Sequence, residues 1–167
     1  MLSAFTEKPK QSLRPLHSNS GDEWEVIDAI LDSGASVTVI PPHMAAGHPV
    51  QESAASRAGV QYEVANGEEI PNLGEKLFAV VTEEGSVRGM RPQVADVSKA
   101  LQSVRALVKT GHLVVFGDGA DRSEHYILNR ESGEVNAVRD DALNYLMRLY
   151  VIPPGAQQPF AGQAEAR

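Results

Sequence analysis

Trp24-Glu25-Val26-Ile27-Asp28-Ala29-Ile30-Leu31, then Asp32-Ser33-Gly34-Ala35-Ser36, then Val37-Thr38-Val39-Ile40: this stretch decides the fold. Its opening segment alternates and then turns wholly apolar at Ala29-Ile30-Leu31, as a strand does on entering a core. A short polar loop interrupts it. The β-branched run Val37-Thr38-Val39-Ile40 resumes the extended pattern, because side chains branched at Cβ fit a pleated sheet better than a helix. Pro41-Pro42 ends it, since proline has no amide hydrogen to give to a ladder. The loop carries Asp32, and a carboxylate set between two apolar strands is costly unless it is paired or used. Gly34 permits a tight loop and Ser33 offers a hydroxyl to hold it. On these residues alone, an Asx-type turn joining two strands is as good an account as a reactive site.

The β signature continues outward. Val60-Gln61-Tyr62-Glu63-Val64 alternates strictly and leads to Asn66-Gly67, a pair suited to a two-residue hairpin turn whose central positions both need positive φ. Ile70, Leu73, Leu77 and the run from Phe78 to Val81 extend the pattern, and Gln93 to Val97 is a further short strand. Leu113-Val114-Val115-Phe116 reads as a buried strand. Tyr126 to Leu128 and Val135 to Val138 flank a turn at Glu131-Ser132-Gly133-Glu134, and Tyr145 to Ile152 is the last apolar strand before Pro153-Pro154. The Ala-rich stretch from His43 to Arg57 has room for a short helix, which Gly47 and Pro49 limit. Ser103 to Lys109 is the best helix pattern: Val104, Leu107 and Val108 share a face, and Gly111 follows the end. Many short strands with one short helix predict an all-β domain over residues 24–152. Residues 1–23 and 153–167 lack periodicity and read as a disordered arm and tail. Gly117 to Ser123 reads as a long hairpin loop whose acids do not follow calcium-loop spacing.

Composition excludes several functions. Lys and Arg number 15 against 22 Asp and Glu, for a formal net charge of -7. Binding to nucleic acid through phosphates needs clustered basic residues, so no nucleic-acid partner is expected. Aromatic residues are only 5% of the chain, too few for base-stacking platforms. Cysteine is absent. That removes disulfides, thiolate zinc sites and thiol nucleophiles, and it suits an intracellular, cytoplasmic setting. No run nears the roughly 18 apolar residues of a membrane span, and Met1 to Phe5 is too short for the apolar core of a signal peptide. His43 and His48, five residues apart, do not stack two imidazoles on one helix face, so no metal site is expected.

Ile30 to Ser36, Val64 to Gly74, Asp96 to Val104 with Lys109 to Phe116, and Asn144 to Leu149 occur in the order of four motifs of one family. The chain resembles the retropepsin-like aspartic proteases, most closely those of Copia-type retrotransposons, over about residues 24–152. The first stretch is similar to that family's apolar-Asp-Ser-Gly-Ala active-site loop. The second is similar to its flap, and the third to a segment that leads into a helix and then a strand. The fourth is similar to its closing strand. Gln102 departs from the pattern, standing where the family has a second Leu; Ser103 in place of Gly is normal for the Copia group.

The resemblance implies the acid-protease fold, a closed all-β domain with one short helix. It implies Asp32 as the catalytic carboxylate, with Ser33, Gly34, Ala35 and Ser103 supporting the active-site loop. Ala65, Asn66, Gly67 and Glu68 would form the flap over an extended peptide, as in polyprotein processing. This chemistry needs two carboxylates sharing a proton, yet the chain has one Asp-Ser-Gly. A homodimer with Asp32 from each subunit is therefore implied, held by interleaved terminal strands that match Tyr145 to Ile152. No metal or organic cofactor is required. The alternative is a retropepsin-like module without turnover that binds peptides or dimerises. Gln102 and the long loop at 117–123 are its signs, while the intact Asp32-Ser33-Gly34 favours the enzyme.

Overall fold

The computed structural model describes residues 24–118 and 124–156. The arm 1–23, most of the long loop at 117–123 and residues 157–167 of the tail lie outside the described residues. Those described form, in chain order, β1 (Val26–Asp32), β2 (Val39–Ile40), α1 (Ala54–Arg57), β3 (Gln61–Glu63), β4 (Glu69–Pro71), β5 (Gly74–Glu75), β6 (Phe78–Thr82) and β7 (Val87–Met90). They continue with β8 (Gln93–Val94), β9 (Leu101–Ser103), α2 (Val104–Lys109), β10 (His112–Val115), β11 (Tyr126–Asn129), β12 (Val135–Ala137), β13 (Arg139–Asp140) and β14 (Tyr145–Val151). A 3-10 turn at Pro154–Ala156 follows. The domain is all-β. The expected helix is present as α2, and α1 is a single turn beyond Pro49.

The main sheet runs β5-β8-β2-β9-β1-β14-β6-β7, with β13 also paired to β14. A three-stranded sheet, β10-β11-β12, and the hairpin β3-β4 complete the strands. β9 lies between β1 and β2, parallel to β1 (Asp32 opposite Ser103) and antiparallel to β2. The loop from Ser33 to Thr38 must therefore arch over the end of β9 to join its two neighbours. That crossing is what positions the site.

β1 alternates along its whole length rather than turning wholly buried. Ile27, Ala29 and Leu31 enter the core, while Asp28, Ile30 and Asp32 share the half-buried opposite face. The core side joins β6 (Phe78, Val80), β14 (Met147, Leu149, Val151), Ile127 of β11 and Val138 in one cluster. Fully burying each large apolar side chain contributes about 1.5–3 kcal/mol. β10 also differs from expectation. Leu113 is 46% exposed and Phe116 42%, because the small sheet covers only one of its faces.

β14 corrects a stronger expectation. Among the described residues, both of its sides already carry strand partners. β1 pairs along one side (Val26 with Tyr150 through Ile30 with Leu146), and β6 and β13 share the other. Val151 is 4% exposed within this sheet, so a charge placed there would unfold the domain rather than separate subunits.

The segment after β2 is clamped from both sides. The buried ammonium of Lys76 donates to the carbonyls of Pro42 (2.9 Å), Met44 (2.8 Å) and Ala45 (3.2 Å). The Glu25 carboxylate accepts from the amides of Ala45 and Ala46. Burial holds Lys76 below the usual lysine range, and the nearby Glu25 charge opposes that shift. Ala45, at φ 51°, sits in the left-handed region between them.

Candidate active site

Asp32 ends β1 half-buried, and Ser33 and Gly34 beyond it are exposed. The Gly34 amide donates to Asp32 Oδ1 at 2.7 Å, so the Asx-type turn is present and the loop folds back on its own carboxylate. A Cβ at Gly34 would lie 3.2 Å from that oxygen, tighter than side chains ordinarily pack; the smallest residue is the one that fits. On the same face of β1, Asp28 is neutralised by a two-pronged pair with Arg148, with both contacts at 2.8 Å. The Arg148 hydrogen bonds hold the Asp28 carboxyl below its ordinary range and raise the guanidinium in turn. Asp32 has no ion pair among the described residues. It is the uncommitted carboxylate of this face.

The loop is braced from below by β9. Ser103, fully buried, donates its hydroxyl to the Ala35 carbonyl at 2.7 Å. The same oxygen accepts from the Ala106 amide at 3.1 Å and so caps the N-terminus of α2. One side chain thus fixes the loop and starts the helix. The two structures are coupled because β9 passes directly into α2. Thr38 supplies a second tie: its Oγ1 accepts from the Ser103 amide (3.2 Å) and from Gln102 Nε2 (3.0 Å). Gln102, 9% exposed, therefore replaces the apolar contact expected of a Leu with a polar bridge.

Ser33 behaves differently from its expected bracing role. Its hydroxyl has no hydrogen bond among the described residues, because the loop turns it outward. Ser103, Gly34 and Ala35 do make the loop's internal contacts. Thr38 and Gln102 were missed as members of the site. Their signal was present, a hydroxyl in an otherwise aliphatic run and an amide at an apolar position, but nothing local pairs residues 64 apart.

The hairpin β3-β4 carries Ala65, Asn66, Gly67 and Glu68 at its exposed tip. The turn is one residue longer than expected. Gly67 N donates to Val64 O (2.8 Å) and Val64 N to Glu68 O (2.9 Å), and of the pair only Gly67 has positive φ, at 81°. The turn therefore centres on Ala65-Asn66 with Gly67 as the left-handed residue after it, the three-residue hairpin loop in which glycine relieves the steric cost. Asn66 Oδ1 accepts from the Glu68 amide at 2.9 Å and stiffens the tip.

Asn72, 7% exposed, anchors the hairpin base. Its amide nitrogen donates to Tyr62 OH (2.7 Å) and to Gln93 Oε1 on β8 (2.9 Å), and its oxygen accepts from the Gly74 amide (2.8 Å). No hydrogen bond among the described residues joins the hairpin tip to the Asp32 loop.

No family model, curated protein or solved structure matches the chain. No helix among the described residues is long and apolar enough to cross a membrane.

Proposed function

We propose that the chain is an aspartic endopeptidase of the retropepsin type, acting on extended peptide as a homodimer with Asp32 from each subunit. The observation that carries this reading is the state of Asp32: a half-buried carboxylate without an ion pair, at the end of a central strand, on a loop held from below by the Ser103 hydroxyl. A carboxylate kept only as a structural turn would not need so much support beneath it. The exposed Ser33-Gly34 tip leaves room for a second copy of the loop beside a twofold axis.

Two carboxylates brought together there would share one proton. One activates the attacking water and the protonated partner polarises the scissile carbonyl. The resulting titration belongs to the pair. The hairpin tip at Ala65–Glu68 is the element available to close over an extended peptide, whose backbone would bind as an added strand. With β14 paired on both sides, the subunits would meet through the Asp32 loops and neighbouring surface rather than by interleaving that strand.

The test is cleavage of an extended peptide library at mildly acidic pH, with and without pepstatin, across a dilution series. Wild-type protein should cleave, pepstatin should block it, and specific activity should fall steeply on dilution. Asp32→Asn keeps the shape but cannot share the dyad proton, and it should abolish cleavage without loss of fold. Cleavage retained by that variant would falsify the role of Asp32.

A further inference from the structure

A concave space opens beside the core. Val80, Met147 and Leu149 of the main sheet, Ile127 of β11, and Ala106 and Leu107 of α2 are among the residues that line it; the cavity measures about 350 Å³. Concave, mostly apolar spaces of roughly this size with a few polar groups are the ordinary form of small-molecule sites.

Arg88 and Arg91 line the cavity and no Asp or Glu does, although Glu84 and Glu134 hydrogen-bond to the lining Asn136. Arg88 is already paired with Glu134. Arg91 is exposed and has no hydrogen bond or ion pair among the described residues. None of residues 32–36 lines the space, so it does not reach the Asp32 turn itself.

We propose that this cavity binds a small amphipathic anion: an apolar body of about ten carbons with a carboxylate at one end. The body lies against the apolar side chains of this lining, and the carboxylate pairs with the Arg91 guanidinium. Thr38 and Gln102 also line the cavity. They are the side chains joined beneath the Asp32 loop, so an occupant touches that brace directly.

The test is calorimetric titration of the full chain with decanoate below its micelle concentration. Decanol and decyltrimethylammonium serve as head-group controls. Decanoate should bind saturably at one site per chain and raise the melting temperature, and decyltrimethylammonium should bind at least about tenfold more weakly. Arg91→Gln should weaken decanoate about tenfold and leave decanol unchanged. Ala106→Phe, filling the gap from α2, should remove binding of both. Absence of saturable decanoate binding to the wild-type chain, or an unchanged affinity in Arg91→Gln, overturns the proposal. Arg91 is exposed, so its variant folds and decides the matter even if Ala106→Phe does not fold.

Discussion

Replacing Ser103 by Ala removes one oxygen and two hydrogen bonds that serve different structures. The first is the cap on α2, where Ser103 Oγ accepts from the Ala106 amide at 3.1 Å; loss of such a cap costs about 1 kcal/mol. The second is the hydroxyl donated to Ala35 O at 2.7 Å. Ala35 is only half-buried, so water can partly replace the donor and the loss lies near the low end of the range, about 1 kcal/mol. Together they predict a destabilisation of about 2 kcal/mol, which for a domain of this size lowers the melting temperature by about 6–10 °C. Thermal unfolding followed by circular dichroism measures it. Amide exchange of Ala106 and Gly34 should quicken in the same variant. Ser33→Ala is the control: an exposed hydroxyl without an intrachain partner should change stability by less than about 0.5 kcal/mol. If Ser103→Ala costs less than that, or Ser33→Ala costs as much as Ser103→Ala, the Asp32 loop is not braced from β9.

Gly74→Ala should be far more damaging: a Cβ there lies 2.2 Å from Gln51 O at φ 133°, and both the collision and the strain predict a loss of more than about 3 kcal/mol in urea unfolding. A normal midpoint would contradict the close approach of β5 to Gln51. A Cβ at Gly67 would meet no atom within 4 Å but Gly67→Val keeps φ at 81°, so the cost is local strain of about 1–2 kcal/mol; exchange at the tip amides should rise, the melting temperature should fall by about 3–10 °C, and on the proposed function peptide binding should weaken. Unaltered exchange at Val64 and Gly67 would show that the turn is wrongly described. The Asp28–Arg148 pair sets an acid limb. Because the folded carboxyl sits below its unfolded value, its stabilisation is present above about pH 4 and is lost as pH falls through the folded pKa. The pair is about a third exposed, and solvent screening limits its worth to about 1 kcal/mol. Asp28→Asn should flatten the stability profile below about pH 4, and a profile identical to wild type would rule the pair out as its source.

The class of the fold was legible because it rests on local patterns. Alternation in Val60 to Val64, the β-branched run before Pro41, and the spacing of Val104 and Leu107 each act within a few residues, where propensity and period operate; Val108, expected on the same face, is 55% exposed. α2 begins where Ser103 caps it, as a residue that can accept from its third following amide should. The loop carrying Asp32 was legible too, since an Asp-Ser-Gly between apolar strands is conspicuous without any knowledge of what surrounds it.

What lay beyond the sequence was every pairing between distant segments. The apolar strand Tyr145–Val151 looks the same whether it ends a sheet or fills its middle, and only the partners β1, β6 and β13 place it inside. The length of the hairpin turn followed from the β3-β4 register, with Glu63 opposite Glu69, not from Asn66-Gly67 alone. The brace under the Asp32 loop joins Ser103 to Ala35 and Gln102 to Thr38 across 68 and 64 residues. The residues themselves determined that an Asp would sit on a tight loop between strands. The threading of β9 between β1 and β2 decided which side chains hold that loop, because hydrogen bonds of this kind act over about 3 Å in space and carry no trace in sequence distance.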